Sequence, residues 1–203
     1  MAVKNIVFDF GGVLVDFNPD RSLKNHFPKE LHDTVNNAIF ESKEWKEMDR
    51  GTYEVEEAVR IMCSHLPEEL RPEAAKMVLD RKTEMPPIEE MYGVVEALHN
   101  NGYKIYLLSN CPMWFSEFKK DVPVFRFFDG FVISAEYRQI KPEEPIFRTL
   151  FEKFGLVPSE CFFIDDMQAN IDTGKRLGMK THCFADRNIE SLKNALRAEG
   201  VKI

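Results

Sequence analysis

The chain has 203 residues, 44% of them hydrophobic, which is enough for the core of one domain or of one domain with a modest insertion. Its net charge of −7 argues against nucleic acid or an anionic membrane surface as the main partner, because both demand clustered Lys and Arg. No apolar run approaches the roughly 20 residues of a membrane span, and the opening Met1-Ala2-Val3-Lys4-Asn5 does not read as a signal peptide.

Taken in order, the chain begins with a short apolar run, Asn5 to Phe8, read as a buried strand that presents Asp9 at its carboxyl end. Gly11-Gly12 follow at once, letting the backbone turn sharply and leaving main-chain groups open to a ligand. Residues 17 to 84 contain no convincing strand and read as helices. Glu30 to Phe40 is one, Trp45 to Gly51 a short one stopped by its glycine, and Thr52 is expected to cap the next. A further helix, after Pro67 and Pro72, runs through Leu79.

From Met85 a repeating unit takes over. A helix over Ile88–Asn100 leads to a strand over Lys104–Leu108. Another, over Trp114–Lys120, leads to Phe131–Ile133, and a third, over Glu143–Phe154, leads to Cys161–Ile164. The last pair is Gln168–Leu177 and Thr181–Phe184, and a final helix starts near Ile189. Short apolar strands alternating with helices predict an α/β fold: a doubly wound, parallel, five-stranded sheet, with residues 17–84 inserted after the first strand as a small all-helical unit. The core is then 1–16 together with 85–203. The four cysteines (Cys63, Cys111, Cys161, Cys183) show no CxxC and no zinc-like spacing, so reduced thiols in a cytoplasmic protein are expected.

Polar groups gather where these strands end. Asp9 follows the first, Ser109-Asn110 the second, Lys141-Pro142 lies in the loop after the third, and Asp165-Asp166 follow the fourth. Ligands of open α/β sheets bind outside the carboxyl ends of strands. Carboxylates, a hydroxyl and a cation suit phosphoryl chemistry with Mg²⁺, which takes one or two carboxylates plus phosphate oxygens. Each member also has a plain reading. Ser109 would be a turn hydroxyl, Lys141 a solvated lysine, and Asp165-Asp166 the cap of the following helix. Cys111 reads as a passive neighbour of Ser109, and His182 as a satisfied core residue.

With Phe8-Asp9-Phe10-Gly11-Gly12-Val13-Leu14, Leu108-Ser109-Asn110, Lys141-Pro142 and Phe163-Ile164-Asp165-Asp166 in this order, the chain resembles the haloacid dehalogenase superfamily, in the subgroup with a helical cap after the first strand. Phe128-Asp129-Gly130 and Ile146-Phe147 flank the third motif in the family manner. Within the superfamily the chain is similar to bacterial phosphatases acting on α-D-glucose 1-phosphate. The resemblance implies that Asp9 is a nucleophile forming an aspartyl-phosphate. It implies Mg²⁺ held by Asp9, the Gly11 carbonyl and a carboxylate of the fourth motif, Asp166 directly and Asp165 behind it. It also implies that Ser109, the Asn110 amide and Lys141 hold the phosphoryl group of a small phosphorylated metabolite. The insert would be a cap that closes over the site, with Asp49 and Arg50 as candidate substrate contacts. The plain reading of those two is an exposed charge pair at a helix end.

One departure matters. The family's phosphatases place a second aspartate two residues after the nucleophile, to protonate the leaving group and later activate water. Here that position is Gly11. General acid–base help is typically worth about 10²- to 10⁴-fold, so activated leaving groups such as the anomeric hydroxyl of a sugar 1-phosphate are expected to suffer least. Asp16 and His26 are the alternative proton sources that the sequence offers. Haloacid dehalogenation is disfavoured by the phosphate and metal character of Lys141 and Asp165-Asp166, and a phosphomutase by the missing acid. Gly11 alone favours a degenerate member that binds a phosphometabolite or a protein partner without turnover.

Overall fold

A computed structural model describes residues 2–80 and 84–203. Its centre is a five-stranded parallel sheet with strand order β3-β2-β1-β4-β5. The strands are β1 (Asn5–Phe8), β2 (Lys104–Ser109), β3 (Gly130–Ile133), β4 (Cys161–Asp165) and β5 (Lys180–Cys183). Every residue of β1 is buried, as befits a middle strand covered on both faces. Phe8 pairs with Leu107 on one side and Ile164 on the other, which brings Asp9 level with the ends of β2 and β4.

The strand alternation sorts the core into two layers. Ile6, Phe8, Ile105, Leu107 and Ile164 pack with the helices Glu89–Asn100 and Ile189–Ala198. Val7, Tyr106, Leu108 and Phe163 face the opposite way, against the helices Glu144–Phe154 and Gln168–Arg176. This is the doubly wound arrangement expected, with strand limits one residue away at several ends.

Residues 17–80 contribute the helices Pro19–His26, His32–Ala38, Lys43–Arg50, Val55–Ser64 and Arg71–Leu79. They bury a separate apolar cluster that includes Leu23, Val35, Ile39, Met48, Val59, Met62 and Met77. The boundary expected at 84/85 runs beside residues 81–83, which lie outside the described residues, as does Met1.

Three local expectations are corrected. The segment Glu30–Phe40 is not one helix, because a 3₁₀ turn at Lys29–Leu31 precedes His32–Ala38. Thr52 does not cap the next helix, which begins after Glu54; its hydroxyl turns back to the Glu47 carbonyl and carboxylate at 2.9 and 2.6 Å. Between Trp114 and Lys120 only Phe115–Phe118 is α-helical, and 3₁₀ turns follow at Lys119–Asp121 and Pro123–Phe127. Pro123 has no N–H to continue the ladder.

Candidate active site

The strand ends do converge. Asp9 extends β1, and its N–H donates to the Ile164 carbonyl at 2.9 Å. Its carboxylate accepts from the Phe10 N–H at 2.6 Å and from Lys141 Nζ at 2.7 Å. Lys141 is 3% exposed, which excludes the solvated reading. Its ammonium also meets Asp165 Oδ2 at 2.6 Å, so one cation bridges two carboxylates. Burial alone would lower the Lys141 pKa, but Asp165 and Asp9 outweigh it and hold the ammonium firmly charged.

Asp165 has no free oxygen. Oδ2 takes Lys141, and Oδ1 accepts from the Met167 N–H and from Asn170 Nδ2, both at 2.9 Å. The helix-capping reading therefore holds for Asp165, through an Asx turn that fixes the start of Gln168–Arg176. Asp166 is less buried. One oxygen from each of Asp9, Asp165 and Asp166 lies within 4.8 Å of the others. Burial, with crowding by the neighbouring carboxylates, pushes both Asp9 and Asp166 above the usual carboxylate range, although Lys141 pulls the other way. Three carboxylates against one ammonium leave two uncompensated negative charges in a desolvated pocket. A hard divalent cation with oxygen preference is the group that fits this donor set.

Gly12 is required here. Its φ is +74°, and an added Cβ would run into the Asp166 carboxylate. At Gly11 neither restriction applies, since the atoms nearest an added Cβ belong to Phe17, at 3.4 to 3.9 Å. Gly12→Ala is accordingly expected to cost about 1–2 kcal/mol from backbone strain alone and to displace Asp166. Gly11→Ala should be close to neutral. Thermal unfolding of the two variants side by side measures the difference.

Ser109 is 1% exposed at the end of β2. The Asn110 side chain is already committed: Nδ2 donates to the Lys141 carbonyl at 3.0 Å and Oδ1 accepts the Lys141 N–H at 2.8 Å. Only the Asn110 main-chain amide is left for a ligand, and the side chain instead fixes the loop that carries Lys141.

The charged pair on the insert is not an exposed one. Arg50 forks onto Glu143 at 2.7 and 3.0 Å and touches Glu47 at 3.7 Å, which ties the insert to the loop after Lys141. Asp49 is partly buried, and its carbonyl accepts a hydrogen bond from the Ser134 hydroxyl. Ser134, fully buried, also accepts the Cys111 N–H at 2.8 Å. Cys111 is thus more than a passive neighbour, because its main chain connects the Ser109 turn to the insert. Desolvation pushes the Asp49 carboxyl up to about 7, against the opposing pull of Lys141 and a hydrogen bond from Trp45. Neither the Ser134 bridge nor the Glu143 partner carried a sequence signal, because both depend on where an insert folds back.

The alternative proton sources are occupied. Asp16 is held below the usual carboxylate range because hydrogen bonds from Arg187 and Arg21 outweigh its partial burial. His26 is clasped between Glu73 at 2.6 Å and Glu84 at 3.2 Å. His182, expected to be satisfied in the core, has a buried Nε2 with no hydrogen-bond partner.

Comparison with known proteins bears on the family and the fold. A family model described as haloacid dehalogenase-like hydrolase matches residues 3–178. The D-ribitol-5-phosphate phosphatase of Bacteroides thetaiotaomicron is 28% identical over 193 residues, covering 88% of this chain and 90% of that protein. Among solved structures, a predicted HAD-like family hydrolase from Porphyromonas gingivalis superposes with a TM-score of 0.72 at 25% identity, over 97% of this chain and 99% of that one. A HAD family enzyme from Bacteroides thetaiotaomicron, solved in complex with magnesium and inorganic phosphate, shares the fold at a TM-score of 0.67 and 22% identity, over 89% and 93% of the two chains.

Proposed function

The chain belongs to the haloacid dehalogenase-like hydrolases, and from that premise we propose that it is a Mg²⁺-dependent phosphatase of a small phosphorylated metabolite, acting through an aspartyl-phosphate on Asp9. The observation that carries this reading is the position of Lys141. Its ammonium lies 2.7 Å from Asp9 and 2.6 Å from Asp165, so the nucleophile and the phosphate-neutralising cation share one buried site.

In this reading the Asp9 carboxylate attacks phosphorus, and the phosphoryl group is held by the Ser109 hydroxyl, the Asn110 main-chain N–H and Lys141. Asp9, the Gly11 carbonyl and Asp166 would hold Mg²⁺, which when bound offsets charge on the phosphoryl oxygens. Asp165, with all its oxygens engaged, orients Lys141 from behind. Residues 17–84 act as the cap that excludes water, with Asp49 and Arg50 as its candidate substrate contacts. A sugar or polyol phosphate is the favoured substrate class, supported by the relative that acts on D-ribitol 5-phosphate and by the resemblance to glucose-1-phosphate phosphatases. Haloacid dehalogenation needs no second carboxylate pair and no buried lysine to neutralise phosphate, and is disfavoured for that reason.

Hydrolysis of p-nitrophenyl phosphate with Mg²⁺, and its loss with EDTA, tests the reading; a panel of phosphorylated metabolites then ranks substrates. No turnover on any ester would favour the binding-only alternative that Gly11 raises. Mg²⁺ is also expected to stabilise the fold, by about 2.7 kcal/mol at a hundredfold excess over its Kd. For a chain of this size that is a rise in Tm of roughly 5–10 °C, which differential scanning fluorimetry would detect.

A further inference from the structure

The structure leaves the proton unassigned at Gly11, and the insert supplies a candidate from the opposite side. Gly11 is roofed by Phe17, whose Cβ lies 3.4 Å from where a Gly11 side chain would begin. The indole of Trp45 stacks on Phe17, with ring centroids 5.8 Å apart and planes 25° from parallel. One helical turn later on the same helix, Lys43–Arg50, is Asp49, on the same face as Trp45. A run of packed side chains therefore leads from the empty acid position to the helix of the cap that carries Asp49.

The main chain that carries Asp49 is fixed as well. The Ser134 hydroxyl holds the Asp49 carbonyl while taking the Cys111 N–H, two residues beyond Ser109. Gly51, with φ +78°, lets the helix end turn against Ala135 where a side chain would collide. Arg50 is locked onto Glu143. Three attachments thus pin residues 49–51 against the loops that carry Ser109 and Lys141.

We propose that Asp49 is the general acid–base of this enzyme, doing from the cap what Gly11 cannot do from the nucleophile loop. This rests on the phosphatase reading above. In the first half-reaction the Asp9 carboxylate forms its bond to phosphorus while the bond from phosphorus to the leaving oxygen breaks. Asp49 gives its proton to that oxygen, and a neutral alcohol departs. In the second half-reaction the Asp49 carboxylate takes a proton from water as the water oxygen bonds to phosphorus and the Asp9–phosphorus bond breaks. Phosphate leaves, with Asp9 again a carboxylate and Asp49 again protonated. Desolvation around Asp49 suits the task, since a carboxyl pushed up to about 7 can both give and accept a proton near neutrality. Lys141 is the charged group that faces it from the core. Arg50 beside it is turned to Glu143 and Glu47.

Asp49→Asn, compared with the unaltered enzyme on two esters, tests this. On an alkyl phosphate, whose leaving group needs a proton, kcat/KM should fall by about 10²- to 10⁴-fold. On p-nitrophenyl phosphate, whose phenolate leaves unaided, kcat/KM should fall by less than about fivefold. A burst of p-nitrophenolate should appear as the aspartyl-phosphate waits for a base. The unaltered enzyme should also lose kcat/KM on the alkyl ester as pH rises past about 7, a limb missing from the variant. Equal losses on both esters, or no loss on either, would overturn the assignment, because a positioning or folding defect does not sort substrates by leaving group. Failure of the phosphatase reading is a separate result: the unaltered protein would then turn over neither ester with Mg²⁺.

Discussion

Asp9→Asn is expected to lower kcat by roughly 10⁴-fold or more, the scale seen when the nucleophile of a covalent mechanism is removed. The amide matches the carboxylate in shape but cannot attack phosphorus. Stability should move the other way. In the metal-free fold burial, helped by Asp165 and Asp166 beside it, raises the Asp9 pKa above the unfolded value although Lys141 opposes the shift. A carboxyl with a raised folded pKa favours the fold when protonated and costs stability as pH rises past the ordinary carboxylate range. The metal-free variant should therefore be at least as stable as the unaltered protein at neutral pH. Its Tm should depend less on pH above the ordinary carboxylate range. Turnover assays paired with thermal melts in EDTA separate the two effects. Metal-dependent turnover that survives in the variant would exclude Asp9 as nucleophile.

Lys141→Met carries the second large effect, and here stability and activity fall together. The ammonium is the shared partner of Asp9 and Asp165 in a site that water does not reach. Removing one member of a buried ion pair leaves uncompensated charge, at a cost of about 3–5 kcal/mol. For a chain of this length that is a Tm lower by roughly 6–20 °C. Mg²⁺ should recover part of the loss by meeting the same carboxylates. The folded Lys141 pKa is raised, so its contribution is complete below the ordinary lysine pKa and is lost only as pH climbs through the higher folded value. The deficit of the variant should therefore be constant across neutral pH. A deficit that vanished on going from low to neutral pH would contradict the buried-pair account. Turnover should fall as well, since Lys141 is also assigned to the transferring phosphoryl group.

The sheet was legible because its evidence is local. Short apolar runs such as Ile6–Phe8 and Cys161–Ile164, each set off by turn residues, are read as parallel strands buried on both faces between helices. The same locality misled at Thr52, where a hydroxyl before an apolar stripe has the form of a cap but bonds backwards to Glu47. It misled again at Trp114–Lys120, where helical spacing was read across a segment that tightens into 3₁₀ turns before Pro123. The site was half legible. Asp9, Ser109, Lys141 and Asp166 could be named because a parallel sheet places all its strand ends on one edge.

By itself, then, the sequence determined the fold and the set of strand-end residues, since strand period, turn chemistry and motif order are written along the chain; the missing acid at Gly11 became visible only through the family resemblance. Tertiary structure decided the partners: Asp165 held by Lys141 and Asn170, the Asn110 side chain committed to a loop, Asp16 tied up by arginines and His26 clasped between two glutamates. It also packed Trp45, on the helix that carries Asp49, against Phe17 and tied the Asp49 carbonyl to Ser134. Those assignments depend on distances between segments up to 171 residues apart. No periodicity encodes them, because how far a carboxyl is desolvated, and what it faces, is settled only when the insert packs against the sheet.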